Sequence, residues 1–341
     1  MILTSAADKC NYKDVWVLAE VLFGKVEPVT YELLGAAKQL AGTRGSAVCA
    51  LLMGKDVTGQ ADKLFEYGAD KVIVVDAPEL YGFNDELECR IADRLIRKYK
   101  PEILLGAATA RGRALVPRIA VRSVCGLTAD CTQLDIDPVS GDLLQTRPAF
   151  GGNIMATINS SNHRPQMATV RPQVMQALPH MPGRTGTLIQ ELPEAGETEN
   201  IKRVVELVRS LESTVNLGEA KIIVAGGRAM KSAEGFDMLR ELAAKLGGAV
   251  GASRAAIDAG WMPYAHQIGQ TGQTVQAKLY IACGISGQIQ HLVGMQSCET
   301  IVAIDKNPNT PLMQMANVAV VGDVFEIVPE LIKAYGKEHV K

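Results

Sequence analysis

Two short glycine turns in the second half of the chain have the composition of an anion-binding site. Gly226-Gly-Arg228 follows the apolar run Lys221–Ala225, and Gly284-Ile-Ser-Gly287 follows Leu279–Cys283; each precedes a helix-like segment. Glycines let the backbone approach a phosphate, and the N–H groups of a following helix favour negative charge. Two such turns at one sheet edge suit a dinucleotide diphosphate. Neither has Gly-x-Gly-x-x-Gly or P-loop spacing, so simple tight connections stay an alternative.

Polar residues that could contact the same ligand lie between and after the two turns. Ser253 and Arg254 follow a short apolar run, and the polar segment Gln267–Gly272 is either a surface loop or part of the site. Asp305 and Asp323 end two later apolar runs. Carboxylates at strand ends commonly bind ribose hydroxyls, and they also cap helices, so both interpretations stay open.

One histidine lies near the proposed ligand edge. His291 comes shortly after Ser286-Gly287, where it either packs in the protein or faces the ligand. The sequence shows no arrangement of a nucleophile, a histidine and an acid that would indicate hydrolysis, and no metal-binding cysteine spacing. We therefore predict neither a catalytic residue nor a metal site in this chain.

The first half of the chain alternates strand-like and helix-like segments, which predicts a parallel sheet covered on both faces. Apolar runs of strand length lie at Val15–Ala19, Ala47–Met53, Lys71–Val75 and Glu102–Gly106. Helical periodicity occurs after Pro28, at Ala61–Tyr67 and at Asp85–Tyr99. An antiparallel extension of this sheet is predicted from three later strand-like segments, Leu143–Thr146, Ile154–Ile158 and Met167–Val170.

A second α/β domain is predicted beyond a linker. The segment Pro179–Asn200 is rich in Pro, Gly, Glu and Thr, which is typical of a linker that permits domain motion. Helices are predicted at Ile201–Glu212 and Ala233–Leu246, and strands at Ile222–Ala225, Leu279–Cys283, Ile301–Ile304 and Val318–Val321. We therefore expect an N-terminal α/β domain over residues 1–204 and a doubly wound, Rossmann-like domain over residues 205–341.

The composition is that of a protein with buried cores and balanced charge. Of 341 residues, 47% are hydrophobic and 21% are charged, with 35 basic and 37 acidic side chains. The absence of a basic excess argues against nucleic acid as a partner, and the apolar runs are too short to span a bilayer. The first residues have no signal-peptide pattern, and the 7 cysteines have no disulfide-framework spacing. We therefore expect a cytoplasmic protein.

In order and in spacing, the motifs of the second half resemble the alpha subunit of electron-transfer flavoproteins. The matching segments are Gly226–Arg228, Val250–Ala256, Asp258–Gly260, Ile268–Gly272, Gly284–His291 and Ile301–Ile304. The resemblance implies one FAD in the C-terminal domain and a beta subunit as obligate partner. The FAD contacts that it implies are Arg228, Ser253, Arg254, Ile268, Gly269, Gln270, Thr271, Ser286, Gly287, Gln288, Ile289, Gln290, His291, Asp305, Asp323 and Val324.

The resemblance also implies roles for some of these residues. Arg254 and His291 match positions beside the isoalloxazine ring, and the Thr271 hydroxyl is suited to meet N5. Cations near N1 and O2 favour reduced, anionic flavin, and Arg254 with a protonated His291 would supply them. Asp305 and Asp323 match positions at the adenosine end. The chain reads Asp305-Lys-Asn307 where the family usually has Asn-Lys-Asp, and an aspartate there would repel a nearby phosphate.

Two segments of the first domain resemble the bacterial branch of the family found in anaerobes and in nitrogen fixation, namely Gln145–Asn153 and Arg164–Pro172. Members of that branch can bifurcate electrons. NADH reduces a second FAD in the beta subunit, one electron goes to ferredoxin or flavodoxin, and the other passes through the alpha-subunit FAD to an acyl-CoA dehydrogenase.

Three alternatives to a bifurcating complex stay open. A non-bifurcating carrier would hold one FAD plus AMP, and Arg147 and Arg171 would then only join the subunits or brace the sheet. The other two are an NAD-using enzyme of similar fold and a nucleotide sensor without redox chemistry.

Overall fold

The chain forms two compact units, Met1–Leu207 and Val208–Lys341. The computed structural model describes residues 6–149, 154–199, 202, 204–206, 217, 218 and 220–338. Among the described residues, no helix is both long and apolar enough to cross a membrane.

The first unit contains twelve strands and six helices among the described residues. Its strands are β1 (Val15–Leu18), β2 (Val21–Leu22), β3 (Lys25–Val26), β4 (Val48–Gly54), β5 (Lys71–Asp76), β6 (Ile103–Ala107), β7 (Leu127–Cys131), β8 (Gln133–Ile136), β9 (Leu143–Ala149), β10 (Ile154–Asn159), β11 (Gln166–Val170) and β12 (Thr187–Glu191). Its helices are α1 (Ala6–Lys9), α2 (Pro28–Arg44), α3 (Ala61–Glu66), α4 (Asp85–Tyr99), α5 (Ala110–Arg122) and α6 (Ala195–Thr198).

The main sheet of this unit is parallel throughout, in the order β12-β5-β4-β1-β6-β11-β7. The packing of strand β4 explains why its sequence is apolar at every position. Ala50 and Leu52 pack into one core with α2 and α3, whereas Leu51 and Met53 pack into a second core with α4 and α5. Both faces of the strand are buried, so a continuous apolar run replaces the alternation of a half-exposed strand. The predicted sheet with helices on both faces is confirmed.

Helix α4 has the bounds that the sequence predicts. Its N-cap is Asn84, whose side chain accepts hydrogen bonds from the backbone N–H groups of Glu86 and Leu87 at 3.3 and 3.2 Å. The helix ends at Lys100, which has left-handed φ and ψ, directly before Pro101. Capping at one end and a proline beyond the other are signals that the sequence carries by itself.

The predicted antiparallel extension is correct for two of its three segments. Strands β8, β9 and β10 form an antiparallel sheet of their own, in the order β10-β9-β8. The assignment of Met167–Val170 to it is wrong, since β11 runs parallel between β6 and β7 in the main sheet. Met167 packs into one core and Ala168 into the other, so β11 is buried on both faces like β4.

The predicted linker at Pro179–Asn200 is wrong over the part that the structure describes. Strand β12 lies in this segment and pairs in parallel with β5 at the edge of the main sheet. Arg184 ties the approach to β12 down by donating to the carbonyl of Phe65 and to Asp70, both at 2.6 Å. The segment is polar because β12 is an exposed edge strand. The helix predicted at Ile201–Glu212 lies largely outside the described residues, and its described positions, 202 and 204–206, have no regular structure.

The second unit is built on one parallel sheet with the order β14-β13-β15-β16-β17. Its strands are β13 (Ile222–Gly226), β14 (Ala249–Ala252), β15 (Leu279–Cys283), β16 (Thr300–Asp305) and β17 (Val318–Val321). Its helices are α7 (Asp237–Leu246), α8 (Arg254–Asp258), α9 (Ile289–Met295), α10 (Pro311–Met315) and α11 (Val324–Glu338). The chain proceeds first to one side of β13 and then to the other, so the order reverses between β13 and β15. The predicted doubly wound fold is confirmed.

The loop between β4 and α3 is held by one carboxylate at the end of β5. Asp76 accepts hydrogen bonds from the backbone N–H groups of Asp56, Val57 and Thr58 at 2.7–2.9 Å, and from the Thr58 hydroxyl at 2.6 Å. Burial alone would raise the pKa of Asp76, but these hydrogen bonds lower it below its ordinary value. The ionised carboxylate is therefore the form that stabilises the folded unit.

We expect Asp76→Asn to lower the free energy of unfolding by about 1 kcal/mol at pH 7, because an amide replaces one acceptor oxygen with a donor. Since the folded pKa is depressed, the difference from wild type should be complete well above the ordinary pKa of about 3.9 and shrink as pH falls through it. Urea unfolding of wild type and variant at pH 7 and pH 3.5 measures the loss in unfolding free energy and its dependence on pH. Asp62→Asn, at an exposed position on α3, is the matched control. A loss independent of pH would contradict this role.

Candidate dinucleotide-binding site

The two glycine turns predicted from the sequence touch each other at the point where the strand order reverses. They follow β13 and β15, which are direct neighbours, and the N–H of Gly227 donates to the carbonyl of Cys283 at 2.9 Å. A Cβ on Gly227 would lie 2.1 Å from the carbonyl oxygen of Gly284. Gly284 itself has a φ of +62°. Only glycine allows this approach, and it leaves bare backbone at the carboxyl edge of the sheet.

Exposed polar side chains surround the bare backbone. Arg228, the last residue of the first turn, is exposed, as are Ser286 in the second turn and Gln288 and Gln290 beyond it. Gly287 is buried with a φ of +83°, and a Cβ there would lie 2.5 Å from the backbone nitrogen of Leu312 at the start of α10. The second turn therefore packs against α10 through Gly287 and exposes Ser286 to solvent. Ile289, the first residue of α9, presents an apolar side chain that is 65% exposed.

The residues between the turns come to the same edge. Ser253, which directly follows β14, donates from its backbone N–H to the carbonyl of Gly226 at 3.0 Å. Ile268 donates in the same way to the carbonyl of Ala252 at 2.9 Å, while its side chain lies in the core. The N–H of Gln270 donates to the carbonyl of Gln290 at 2.7 Å. The structure thus brings the ends of β13, β14 and β15 and the loop Ile268–Thr271 together.

Two glycines set how closely that loop approaches α9. Gly269 has a φ of +145°, and a Cβ on it would lie 2.9 Å from the carbonyl oxygen of Gln290. A Cβ on Gly294 would lie 2.5 Å from the Cα of Gly269. Backbone packs directly against backbone here, so the position of the loop depends on the position of α9.

The hydroxyl of Thr271 is oriented by Gln267, a neighbour that is not among the predicted FAD contacts. Gln267 is 3% exposed, and its Nε2 donates to the Thr271 Oγ1 at 3.0 Å. The Tyr264 hydroxyl donates to the Thr271 carbonyl. Because Thr271 accepts from the amide, its own proton stays available to donate elsewhere. The polarity of Gln267 was visible in the sequence, but its burial beneath Thr271 was not.

His291 is buried, and its surroundings favour a neutral ring over the predicted protonated one. Its Nδ1 lies 3.1 Å from the carbonyl oxygen of Ile268, and its Nε2 lies 2.9 Å from the hydroxyl of Tyr280. Burial lowers the pKa of His291 to about 4. The ring is therefore neutral at neutral pH.

Arg254 is a second permanent cation at this edge, besides Arg228. It opens α8, and its side chain is 70% exposed. Its Nε lies 3.4 Å from a carboxylate oxygen of Asp258, which is 64% exposed. A surface pair of this kind holds a guanidinium weakly, so Arg254 is available to an anionic ligand.

The two acids lie at the ends of β16 and β17, next along the sheet from β15. Asp305 accepts from the backbone N–H of Asn307 at 2.8 Å, which closes a local turn. Asp323 caps α11 through the N–H of Phe325 at 3.0 Å and pairs with Lys306 at 2.7 Å. The hydrogen bond from Lys306 lowers the pKa of Asp323. Both acids therefore have the turn or capping role that the sequence left open. Val324 is 3% exposed and packs into the core of the second unit.

The corresponding crevice of the first unit is filled by its own side chains. Its strand order reverses between β1 and β6. There the Thr109 hydroxyl donates to Glu20 at 2.6 Å, and Arg111 pairs with Glu88 at 2.7 Å and donates to the carbonyl of Val21. At the point of strand-order reversal, the second unit thus has glycine turns without side chains, whereas the first unit has side chains that are hydrogen-bonded to each other.

Fold and site together define a dinucleotide-binding α/β protein. Residues 15–195 match the family described as electron transfer flavoprotein domain, and residues 216–296 match electron transfer flavoprotein FAD-binding domain. The chain therefore belongs to the electron-transfer flavoproteins, as an alpha subunit. Such a subunit pairs with a beta subunit and transfers electrons through a flavin.

Three bacterial relatives match nearly the whole chain. An electron transfer flavoprotein subunit alpha of Thermoanaerobacterium thermosaccharolyticum is 49% identical over 327 residues, covering 96% of this chain and 99% of that protein. The lactate dehydrogenase (NAD(+),ferredoxin) subunit LctC of Acetobacterium woodii is 43% identical, and the alignment covers 96% of this chain and 78% of that protein. The acryloyl-CoA reductase electron transfer subunit beta of Anaerotignum propionicum is 40% identical, covering 97% of each.

We expect Gly227→Ala to destabilise the second unit by roughly 1–3 kcal/mol and to lower its retention of FAD, because the added Cβ must push the two turns apart. FAD retained after gel filtration and the thermal unfolding midpoint measure the two effects. Gly42→Ala in α2 is the control, since a Cβ there meets nothing within 4 Å. Full retention of FAD by Gly227→Ala would refute the steric constraint.

Proposed function

We propose that this chain and a beta subunit form an electron-bifurcating heterodimer with one FAD in each subunit. In this proposal NADH gives a hydride to the FAD of the beta subunit. One electron then goes to ferredoxin or flavodoxin, and the other passes through the FAD of this chain to an acyl-CoA dehydrogenase. We place the complex in the cytoplasm, in keeping with the buried free thiols of Cys49, Cys89, Cys131, Cys283 and Cys298.

The similarity to LctC carries this proposal. The name of that relative couples NAD(+) with ferredoxin, and the alignment with it covers 96% of this chain. The acryloyl-CoA reductase relative supports an acyl-CoA substrate for the dehydrogenase partner. The name of the first relative mentions no acyl-CoA, and the name of the second mentions neither NAD(+) nor ferredoxin. The proposal therefore combines the two names.

The branch-specific segments of the first unit add little to this case. Arg171 pairs with Asp130 at 2.6 Å and so braces the end of β11 against β7. Arg147 donates to the carbonyl of Pro148 at 3.4 Å. Residues 150–153, the end of the first segment, lie outside the described residues. Bracing of the sheet is therefore the role that the structure supports for Arg171.

Within this chain, the residues at the open edge fit FAD. The bare backbone of the glycine turns, with Arg228 beside it, would hold the diphosphate. Arg254, His291 and Thr271 would lie at the end occupied by the flavin ring. When bound, FAD supplies the group that accepts and releases electrons. The protein's own contribution is a fixed cation at Arg254, a neutral imidazole and an oriented hydroxyl.

A non-bifurcating carrier with one FAD plus AMP is the second candidate. The relative from Thermoanaerobacterium thermosaccharolyticum, whose name refers only to electron transfer, favours it. Membership of an electron-transfer family does not support the NAD-using enzyme or the nucleotide sensor.

The flavin count separates the two candidates. We expect the purified heterodimer to release two FADs on heat denaturation and to be reduced by NADH. One FAD together with one AMP, and no reduction by NADH, would establish the simpler carrier instead. A colourless heterodimer that takes up no FAD would refute both.

We expect Arg254→Ala to lower the midpoint potential of the flavin bound to this chain, because the variant loses a cation that favours the reduced, anionic ring. The shift should be on the order of tens of millivolts at low ionic strength and should decrease with added salt, as for an exposed charge. Spectroelectrochemistry of the heterodimer measures it.

Lys245→Ala is the matched control for Arg254→Ala. It removes one exposed positive charge from the last turn of α7, whose end leads to the start of β14 rather than to its carboxyl edge. An equal shift in both variants would mean that Arg254 acts only through net charge.

A further inference from the structure

A tyrosine beneath the proposed site holds the imidazole of His291. Tyr280 is the second residue of β15 and is 0% exposed. Its hydroxyl lies 2.9 Å from the Nε2 of His291 on α9. The ring centroids are 6.3 Å apart and tilted by 57°, so the contact is a hydrogen bond rather than a stacking interaction.

The partners of the imidazole determine where its proton lies. The carbonyl oxygen of Ile268 can only accept a hydrogen bond, so the Nδ1 of His291, 3.1 Å away, must carry the proton. In a neutral ring the Nε2 then has only a lone pair, and the Tyr280 hydroxyl must donate to it. The hydrogen bonds therefore run in one direction, from Tyr280 to His291 to Ile268.

No charged group is needed to explain this arrangement. The titratable groups acting on Tyr280 are the thiols of Cys298 and Cys283. Burial raises the pKa of Cys283 to about 12 and that of Cys298 to about 11, and burial also raises the pKa of Tyr280 itself. All three are uncharged at neutral pH, as is His291. The hydroxyl of Tyr280 thus acts as a hydrogen-bond donor and not as a charge.

The same hydrogen bonds reach the loop that carries Thr271. The bond from His291 to Ile268 fixes the first residue of the loop Ile268–Thr271, and the N–H of Gln270 donates to the carbonyl of Gln290 on α9. Gly269 and Gly294 are in backbone contact between these two bonds. A shift of the imidazole would therefore shift the loop, because little free space separates it from α9.

We propose that Tyr280 is a positioning residue of the flavin site: its hydroxyl holds His291 as the neutral Nδ1–H tautomer and thereby holds the loop Ile268–Thr271 against α9. The effect on electron transfer rests on the proposed function, because it requires a flavin beside His291 and Thr271. The effect on the tautomer and on the loop does not, since every contact lies within this chain.

The test is Tyr280→Phe in the heterodimer, read by hydrogen–deuterium exchange of the peptide that contains residues 268–273. We expect exchange of the loop amides to rise about five- to tenfold, the effect of one lost buried hydrogen bond, in both the FAD-loaded and the FAD-depleted protein. Tyr31→Phe, in α2 of the first unit, is the control and should leave this peptide unchanged. Unchanged exchange in Tyr280→Phe would overturn the proposal.

A double-mutant cycle with His291→Asn tests whether Tyr280 acts through the imidazole. Asparagine can still donate to Ile268 from its shorter amide, but it has no second nitrogen in the Nε2 position. We therefore expect Tyr280→Phe to have no further effect on loop exchange or on the flavin potential in that background. Additive effects would show that Tyr280 does not act through His291, and would overturn the proposal.

The tautomer can be read without relying on the Tyr280 variant folding. Nitrogen-15 solid-state NMR of histidine-labelled wild type, with His291→Asn to assign the signal, should show a protonated Nδ1 and an unprotonated Nε2. The opposite tautomer would overturn the proposal. A wild-type heterodimer without FAD would instead refute the proposed function, while the exchange measurement would still decide the role of Tyr280.

Discussion

The second unit depends on the close approach of two backbone turns at the point where its strand order reverses. Gly227 can lie against Gly284 only because neither has a side chain, since a Cβ on Gly227 would come within 2.1 Å of the Gly284 oxygen. The approach leaves backbone without side chains at the edge where β13 and β15 end. The loop Ile268–Thr271 and α9 meet by the same means, with Gly269 against Gly294. Backbone contact thus shapes the site, and polar side chains such as Arg254 surround it.

The two units show that one topology does not determine one function. Both have a parallel sheet whose strand order reverses beside its first strand. In the first unit, groups from both sides of the reversal are hydrogen-bonded to each other: Thr109 donates to Glu20, and Arg111 donates to the carbonyl of Val21. In the second, glycines occupy the equivalent turns. The difference between a filled and an open crevice therefore lies in a few residues directly after the strands.

Local signals explain which elements could be predicted. Helix α4 carries its own cap and stop, and β4 is a continuous apolar run, so both were found from the sequence. Helix α5 was not identified, and it contains Pro117, which normally argues against a helix interior. The sequence of strand β12 predicts part of a linker, because its exposed edge position makes it polar. In both elements, contacts with other segments override the local signal: α5 packs on α4 and β11, and β12 pairs with β5.

The sequence by itself determined the family, the two glycine turns and the residue types at the ligand edge, because these depend on local spacing and on order along the chain. It also placed His291 near that edge. Only the tertiary structure decided that this imidazole is neutral, because burial and two partners from other segments, Tyr280 and Ile268, set its proton. The direction of the Thr271 hydroxyl was decided in the same way by Gln267. Charge and proton position depend on surroundings, and those are assembled only when the strands and loops pack.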